Sequence, residues 1–350
     1  MLYILYVALL SDYDYDLPES MIASAPMEPR DACKMMVYNR ISTETEIKQF
    51  RDVLDYLKAG DVVVINETRV IPARLLGKKT TGAQIEILLL KKLTLTNYEV
   101  LVKPLRRLKA GDIVDIAGKI KATLISKNIE TGTAEMQLEC TDGAQNLEAV
   151  IDEIGEIPLP HYIQNGNATK ENYNTVYAKI DGSAAAPTAG LHWTDELMAK
   201  ARAKGIIFAP VVLDVGLGTF RPVKVDDITK HNMHSERYSI PESSAQIIND
   251  ALREGRRVIA TGTTSLRTLE GCFAKYGQIK AVTDATNIFI YPPYHFNVIS
   301  ALITNFHLPK STLLMLVSAF IGRDKTLELY ELAKKENFRF YSFGDCMFLQ

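Results

Sequence analysis

Between Arg74 and Pro158 the chain is a succession of short β-rich runs, IEILLL, YEVLV, DIVDI and KATLI, separated by Gly, Lys and Asn turns. Pro158 and Pro160 close the stretch. It reads as a small all-β domain of roughly the size at which a barrel closes.

The flanking sequence follows another pattern. From Thr43 to Gly60 the apolar residues Ile47, Phe50, Leu54 and Leu57 keep a helical period, Thr43 and Glu46 are spaced as a capping box, and Gly60 stands as the stop. This predicts a helix feeding the strand VVVIN. Beyond Tyr173 strands and helices alternate: Thr194 caps the helix DELMAKARAK with Gly205 after it, VVLDV is a strand, AQIINDALRE a helix and RRVIAT a strand. Strands at NIFIY and ALITNF, helices at STLLMLVSAF and LELYELAKK, and a last strand at FRFYSF follow. Such alternation marks an α/β layer architecture. The expected fold is therefore an α/β (mixed α+β) main domain, discontinuous over residues 11–75 and 160–350, with an all-β barrel domain inserted at 76–159.

With 350 residues, 47% hydrophobic and 23% charged, the chain can build two cores, and disorder is excluded. Cys33, Cys140, Cys272 and Cys346 lie far apart without a C-x-x-C pair, the pattern of reduced thiols in a cytoplasmic protein. The apolar start MLYILYVALL is half the roughly 20 residues a membrane-crossing helix needs, and it lacks the basic start and cleavage site of a secretory signal. It is expected to be a buried edge strand or an artefact of start-codon choice. A net charge of −2 gives no general attraction to nucleic acid, so RNA contact must come from local patches. Lys78-Lys79, Lys91-Lys92 and the run Lys103, Arg106, Arg107, Lys109 are the candidates; solvated faces are the alternative.

Several stretches concentrate chemistry. Asp214-x-Gly216-x-Gly218 imitates the glycine-rich loop of Rossmann methyltransferases, but Phe220-Arg221-Pro222 follows where a helix should open. RRVIATGTTSLRTLEG fits a strand, a tight Gly262 turn and a helix from near Thr263, whose free N–H groups and hydroxyls suit a carboxylate or phosphate. Alternatively Thr263, Thr264 and Ser265 simply cap that helix. Ala186–His192, His231–Glu236 and Thr304–Lys310 gather polar groups at element ends, and His192, His234 and His307 stand there as site candidates. His231, His234 and Glu236 match no standard metal spacing, and Ser265 lacks a nucleophile elbow. No metal is expected.

Together GDVVVINETRVIPARLLG, IPLPHYI, YNTVYA, AAAPTAGLHWT, VGLGTFRPV, HNMHSERY, GTTSLRTLE, TNIFIYPPYHF and ITNFHLPKSTLLMLVSAF resemble, in order and spacing, the S-adenosylmethionine:tRNA ribosyltransferase-isomerases of queuosine biosynthesis. The resemblance runs from about Asp12 to Met347. It implies an α/β domain with an inserted β-barrel. It also implies transfer of the ribosyl part of S-adenosylmethionine, a co-substrate with no prosthetic group beside it, to 7-aminomethyl-7-deazaguanine at the wobble position of a GUN-anticodon tRNA. Epoxyqueuosine tRNA forms, and adenine and methionine leave. The sequence departs from the family pattern at Ser24, Asp214, Pro293 and Trp193.

Such a reaction needs a base for a C5′ proton beside the sulfonium and an acid for the departing adenine. The resemblance assigns proton transfer to His192, His234, Glu236 and His307. It gives Thr188, Gly190, Thr263, Thr264, Ser265 and Arg267 to S-adenosylmethionine, with the arginine as a forked anchor. Asn66, Arg69, Arg74 and Lys310 are left to position donor or tRNA; ion pairs between the domains are the other role open to Arg69 and Arg74. The expected protein is a cytoplasmic monomer that binds no membrane. A divergent tRNA-binding paralogue with altered substrate or no turnover is the first alternative, and a Rossmann methyltransferase the second.

Overall fold

The computed structural model describes residues 8–129, 131–143, 146–158, 169, 171–216 and 223–350. Two compact units emerge. The first takes the chain up to Thr68, the stretch ending at Ile180, and Pro187–Gln350; the second takes the stretch starting at Arg69 together with Asp181–Ala186.

The first unit is built on a nine-stranded sheet in the order Val282–Thr286, Glu236–Ile240, Ile207–Leu213, Val62–Asn66, Val258–Thr261, Ala301–Asn305, Cys346–Leu349, Lys34–Tyr38, Thr45–Gln49. Ile207–Leu213, Val62–Asn66, Val258–Thr261 and Ala301–Asn305 run parallel, and the sheet turns antiparallel at both flanks. VVVIN is buried at all five positions, as a central strand of a parallel sheet covered on both faces must be. Val63 and Ile65 pack with Trp193, Leu197, Met198 and Ala201, and the helices Glu242–Arg253 and Gly262–Tyr276 lie against the same group of strands. The helix Asp195–Ala203 starts where Thr194 accepts from Leu197 N at 3.1 Å, and Thr312–Ile321 starts where Ser311 accepts from Leu314 N at 3.2 Å. No described helix is long and apolar enough to cross a membrane.

The second unit holds a closed antiparallel barrel of Arg74–Lys79, Gln84–Lys92, Asn97–Lys103, Ile113–Ile116, Ile120–Asn128 and Thr133–Cys140. Alternate residues along the strands, such as Ile85, Ile87 and Leu89 or Val100 and Val102, fill its core, as a period of two requires. At Gly77 a Cβ would lie 2.6 Å from Val114 Cγ1 and 2.7 Å from Asp115 O, so glycine permits the close approach of two barrel strands. The helix Leu147–Ile154, capped by Asn146, buries Val150 and Ile151 in the same core. The barrel's first strand starts at Arg74, two residues ahead of the boundary read at residue 76, and Asp181–Ala186 belongs to this unit.

Three expected elements are corrected. The helix over Thr43–Gly60 is instead the strand Thr45–Gln49, paired antiparallel with Lys34–Tyr38, followed by a 3-10 helix at Phe50–Asp55. Thr43 takes φ 60°, and Asn39 Oδ1 closes the preceding turn by accepting from Ile41 N and Ser42 N. Pairing to a sheet edge overrides a helical spacing of apolar residues that the strand and 3-10 turn satisfy equally. NIFIY is loop, the strand there being Val282–Thr286. FRFYSF is not a strand either: Phe338 and Phe340 enter an aromatic cluster with Phe306 and Tyr330, and the last strand is Cys346–Leu349. The reading of MLYILYVALL falls mostly outside the described residues, although the described Leu9 bridges Asp227, and that of Phe220–Pro222 falls wholly outside them.

Candidate functional site

In an open α/β sheet, ligands gather outside the carboxyl ends of the parallel strands. Here those ends are Leu213, Asn66, Thr261 and Asn305. Asn66 is fully committed to structure. Its Nδ2 donates to Leu213 O at 3.1 Å, and its Oδ1 accepts from Leu213 N at 3.1 Å and Thr68 N at 3.2 Å, so it splices two strand ends.

Val258–Thr261 passes directly into the helix Gly262–Tyr276 through Gly262 at φ 86°. Its hydroxyls do not cap the helix. Ser265 Oγ donates back to Thr261 O at 2.8 Å and Thr268 Oγ1 to Thr264 O at 3.0 Å, while Thr261 and Thr264 carry buried hydroxyl oxygens without a partner among the described residues. Thr263 is buried beside them. One turn on, Arg267 shares a face with Thr264. Its Nη1 donates to Glu236 Oε2, whereas its Nε and Nη2 are buried and find no partner among the described residues. Glu236 Oε1 also accepts from Gly216 N at 3.3 Å. A helix amino terminus, a free hydroxyl and two guanidinium nitrogens with unspent N–H groups form a set that favours a carboxylate or phosphate, since buried donors left unpaired cost about 1–3 kcal/mol each.

The 3-10 helix Thr188–His192 lies against that amino terminus: a Cβ on Gly262 would come 3.6 Å from Ala189 Cβ. Gly190 admits Tyr177, whose hydroxyl oxygen would stand 2.0 Å from an added Cβ. Thr188 is half-buried. His192 is buried, with Nδ1 3.1 Å from Cys33 Sγ, its ring beside Phe50, and Nε2 without a partner among the described residues. A narrow cleft lined by Met27, Arg30, Cys33, His192, Arg339 and Phe343 reaches it.

The other candidates are dispersed. His307 is buried, its Nε2 2.8 Å from Thr304 Oγ1 and its backbone N donating to Tyr330 OH; burial pushes its imidazole down to about 3, so the ring is neutral. His234 is exposed in a loop, and its neighbour His231 packs edge-on to Phe289. His231, His234 and Glu236 thus face three different environments. Among the described residues, the group close enough to hold a metal ion is Cys33, His192 and Cys346. Lys310 pairs with Asp14 at 2.8 Å. Arg69 forms a forked pair with Asp181, and Arg74 reaches Glu86 and Glu156, all within the barrel-bearing unit.

Further residues stand outside the set of sequence candidates, among them Asp214, which the sequence marked only as a departure from the family pattern. Asp214, half-buried beside the Glu236 charge, has its carboxyl raised by burial, against the pull of Arg237 and with the push of Glu236. Cys33 and Cys346 come from opposite ends of the chain, so no spacing betrays them. Glu270, on a helix, is fully buried and accepts from Tyr294 OH and from the backbone N of Asn297, Val298 and Ile299. It thereby holds the loop from Tyr294 to Ile299, downstream of NIFIY.

A family model described as queuosine biosynthesis protein matches residues 10–349. The S-adenosylmethionine:tRNA ribosyltransferase-isomerase of Desulforamulus reducens is 48% identical over 342 residues, covering 97% of this chain and 99% of the relative. The protein of that name from Staphylococcus haemolyticus is 49% identical with the same coverage. A crystal structure of S-adenosylmethionine tRNA ribosyltransferase from Thermotoga maritima shares 35% identity at a TM-score of 0.56, covering 97% of this chain and all of that one.

Proposed function

The chain belongs to the queuosine biosynthesis protein family, and from that membership we infer that it acts as an S-adenosylmethionine:tRNA ribosyltransferase-isomerase. It uses S-adenosylmethionine as co-substrate and tRNA as acceptor. In finer detail, the acceptor is the aminomethyl group of 7-aminomethyl-7-deazaguanine at the wobble position of a GUN-anticodon tRNA, and the products are epoxyqueuosine tRNA, adenine and methionine. The enzyme works as a monomer in the cytoplasm, where its tRNA is.

The observation that carries this reading onto the chain's own residues is the buried Arg267 with two guanidinium nitrogens unspent beside the free Thr264 hydroxyl. That donor set suits the methionyl carboxylate of S-adenosylmethionine, which the helix amino terminus further favours. Glu236 holds Arg267 in place, a positioning role in preference to proton transfer. His192, with Nε2 aimed away from its Cys33 contact, exchanges a proton with the reacting sugar or the departing base. Asp214 is the second proton-transfer group, and the neutral, tethered His307 is structural. A wobble base can be splayed from its loop and held edge-on, so only one nucleotide need enter the site. Exposed Lys103, Arg106, Arg107 and Lys109 are positioned to meet phosphates.

The test is to incubate the protein with S-adenosylmethionine and tRNA carrying the 7-aminomethyl base, then digest the tRNA and weigh the nucleoside. Gain of the epoxycyclopentane moiety is expected. Release of S-adenosylhomocysteine with a methylated nucleoside would establish a methyltransferase instead, and tRNA binding with an unaltered nucleoside would establish a non-catalytic relative.

A further inference from the structure

His192 is flanked by two thiols. Cys33 Sγ, Cys346 Sγ and a His192 ring nitrogen all lie within 4.8 Å of one another, and all three residues are buried. The Cys33 Sγ to His192 Nδ1 separation is 3.1 Å, a hydrogen-bond contact. Cys346 opens one strand and Cys33 immediately precedes its parallel neighbour, Lys34–Tyr38: Met35, two residues after Cys33, is in register with Cys346. The opposite ring nitrogen, Nε2, is buried with no partner of its own among the described residues.

We propose that Cys33 and His192 form a thiolate–imidazolium pair, with the buried Cys346 thiol beside the thiolate, so that His192 stands as a cation presenting an Nε2–H donor. Cys33 is then a positioning residue and Cys346 its support. The thiolate fixes Nδ1 as a donor and fixes the ring plane, which leaves Nε2 to deliver its proton; this last step rests on the assignment of His192 to proton transfer above. No bond between heavy atoms changes: the Cys33 proton resides on His192, and net charge is conserved.

The surroundings are consistent with that charge distribution. The adjacent Cys346 thiol, against burial and together with His192, draws the Cys33 thiol downward. Burial pushes the Cys346 thiol up, and its proximity to Cys33 pushes it the same way, keeping it protonated, with its S–H donating to Lys34 O at 3.7 Å. For His192, burial opposes protonation; the charge and hydrogen bond of Cys33, and then Asp345, outweigh it, and Arg339 opposes. Asp345 is held by Lys34 N at 2.9 Å and Arg339 N at 2.7 Å, so its charge is fixed nearby without taking the imidazole. Phe50 covers the ring at 5.3 Å. The same donors would also be a soft-metal set, but a ring nitrogen in direct hydrogen-bond contact with the sulfur favours a proton between them.

The experiment is nitrogen NMR of the full-length protein labelled at histidine, with His192 assigned by its loss in His192→Asn. The expected result at neutral pH is an imidazolium pattern for His192 that becomes a neutral pattern in the near-isosteric Cys33→Ser, accompanied by loss of thiolate ultraviolet absorbance. Cys346→Ala should lower the pH at which His192 deprotonates by a smaller amount. A neutral His192 in the parent protein, a pattern indifferent to Cys33→Ser, or purified protein holding equimolar zinc that Cys33→Ser releases would each overturn the proposal. This readout needs no turnover, so it stands or falls separately from the reaction assignment. In turnover assays the alkaline limb of kcat should move to lower pH in Cys33→Ser, a shift that a purely structural thiol would not produce.

Discussion

Arg267 and Glu236 form an ion pair in which each side chain is only 3% exposed, and the pair occupies a single nitrogen of the guanidinium. Breaking a buried pair by removing one partner leaves an uncompensated charge, at a cost of about 3–5 kcal/mol. Glu236→Gln is therefore expected to lower the unfolding free energy by roughly that amount in urea titrations. Arg267→Lys keeps a charge but loses the fork, and should weaken S-adenosylmethionine binding, measured by calorimetry, by at least about tenfold. Undiminished affinity in Arg267→Lys would remove the arginine from the binding role.

Gly190 has no room for a side chain against Tyr177. Gly190→Ala should destabilise by about 1–3 kcal/mol, the usual range for overpacking. Adding Tyr177→Phe, which deletes the offending oxygen, should recover part of that loss. Strictly additive effects in the double-mutant cycle would show that the two residues do not press on each other.

His307 makes stability pH-dependent in a defined window. Its folded value of about 3 lies below the ordinary 6.5, so between those limits the unfolded chain binds a proton that the native protein refuses. Its contribution is complete above about 6.5 and is lost as pH falls toward 3, with a limiting slope of about 1.4 kcal/mol per pH unit. His307→Gln should flatten the stability profile between pH 6 and 4 by up to that slope, as followed by urea midpoints at successive pH values. Parallel profiles for parent and variant would contradict a buried neutral imidazole.

Arg106 and Arg107 are exposed on the barrel-bearing unit in a run with Lys103 and Lys109. If they meet phosphates, Arg106→Gln with Arg107→Gln should reduce tRNA affinity and flatten the salt dependence of log K by about 0.7–0.9 for each phosphate no longer neutralised. S-adenosylmethionine affinity should be unchanged. An unaltered salt slope would return this run to an ordinary solvated face.

The barrel was legible in the sequence because each strand writes burial at a period of two, as in Gln84–Lys92, and nothing else in the chain competes with that pattern. The capped helices at Thr194 and Ser311 were legible for a similarly local reason. Thr43–Gly60 misled because Phe50, Leu54 and Leu57 serve a strand and a 3-10 turn as well as they would a helix; the deciding partner, Lys34–Tyr38, exerts no local signal. In the site, Thr264 and Arg267 were found because they share one short segment. Cys33, Cys346 and Glu270 were not, since their partners arrive from distant segments, and a sequence read in one dimension carries no trace of which thiol meets which imidazole.

The central claim is that both halves of S-adenosylmethionine flanking the ribose leave while the ribose stays on tRNA. A single-turnover reaction with tRNA bearing the 7-aminomethyl base, quantifying adenine, methionine and modified nucleoside together, tests it most directly. The expected result is equal amounts of all three, appearing with one rate constant. Modified nucleoside without adenine, or S-adenosylhomocysteine in place of methionine, would contradict it.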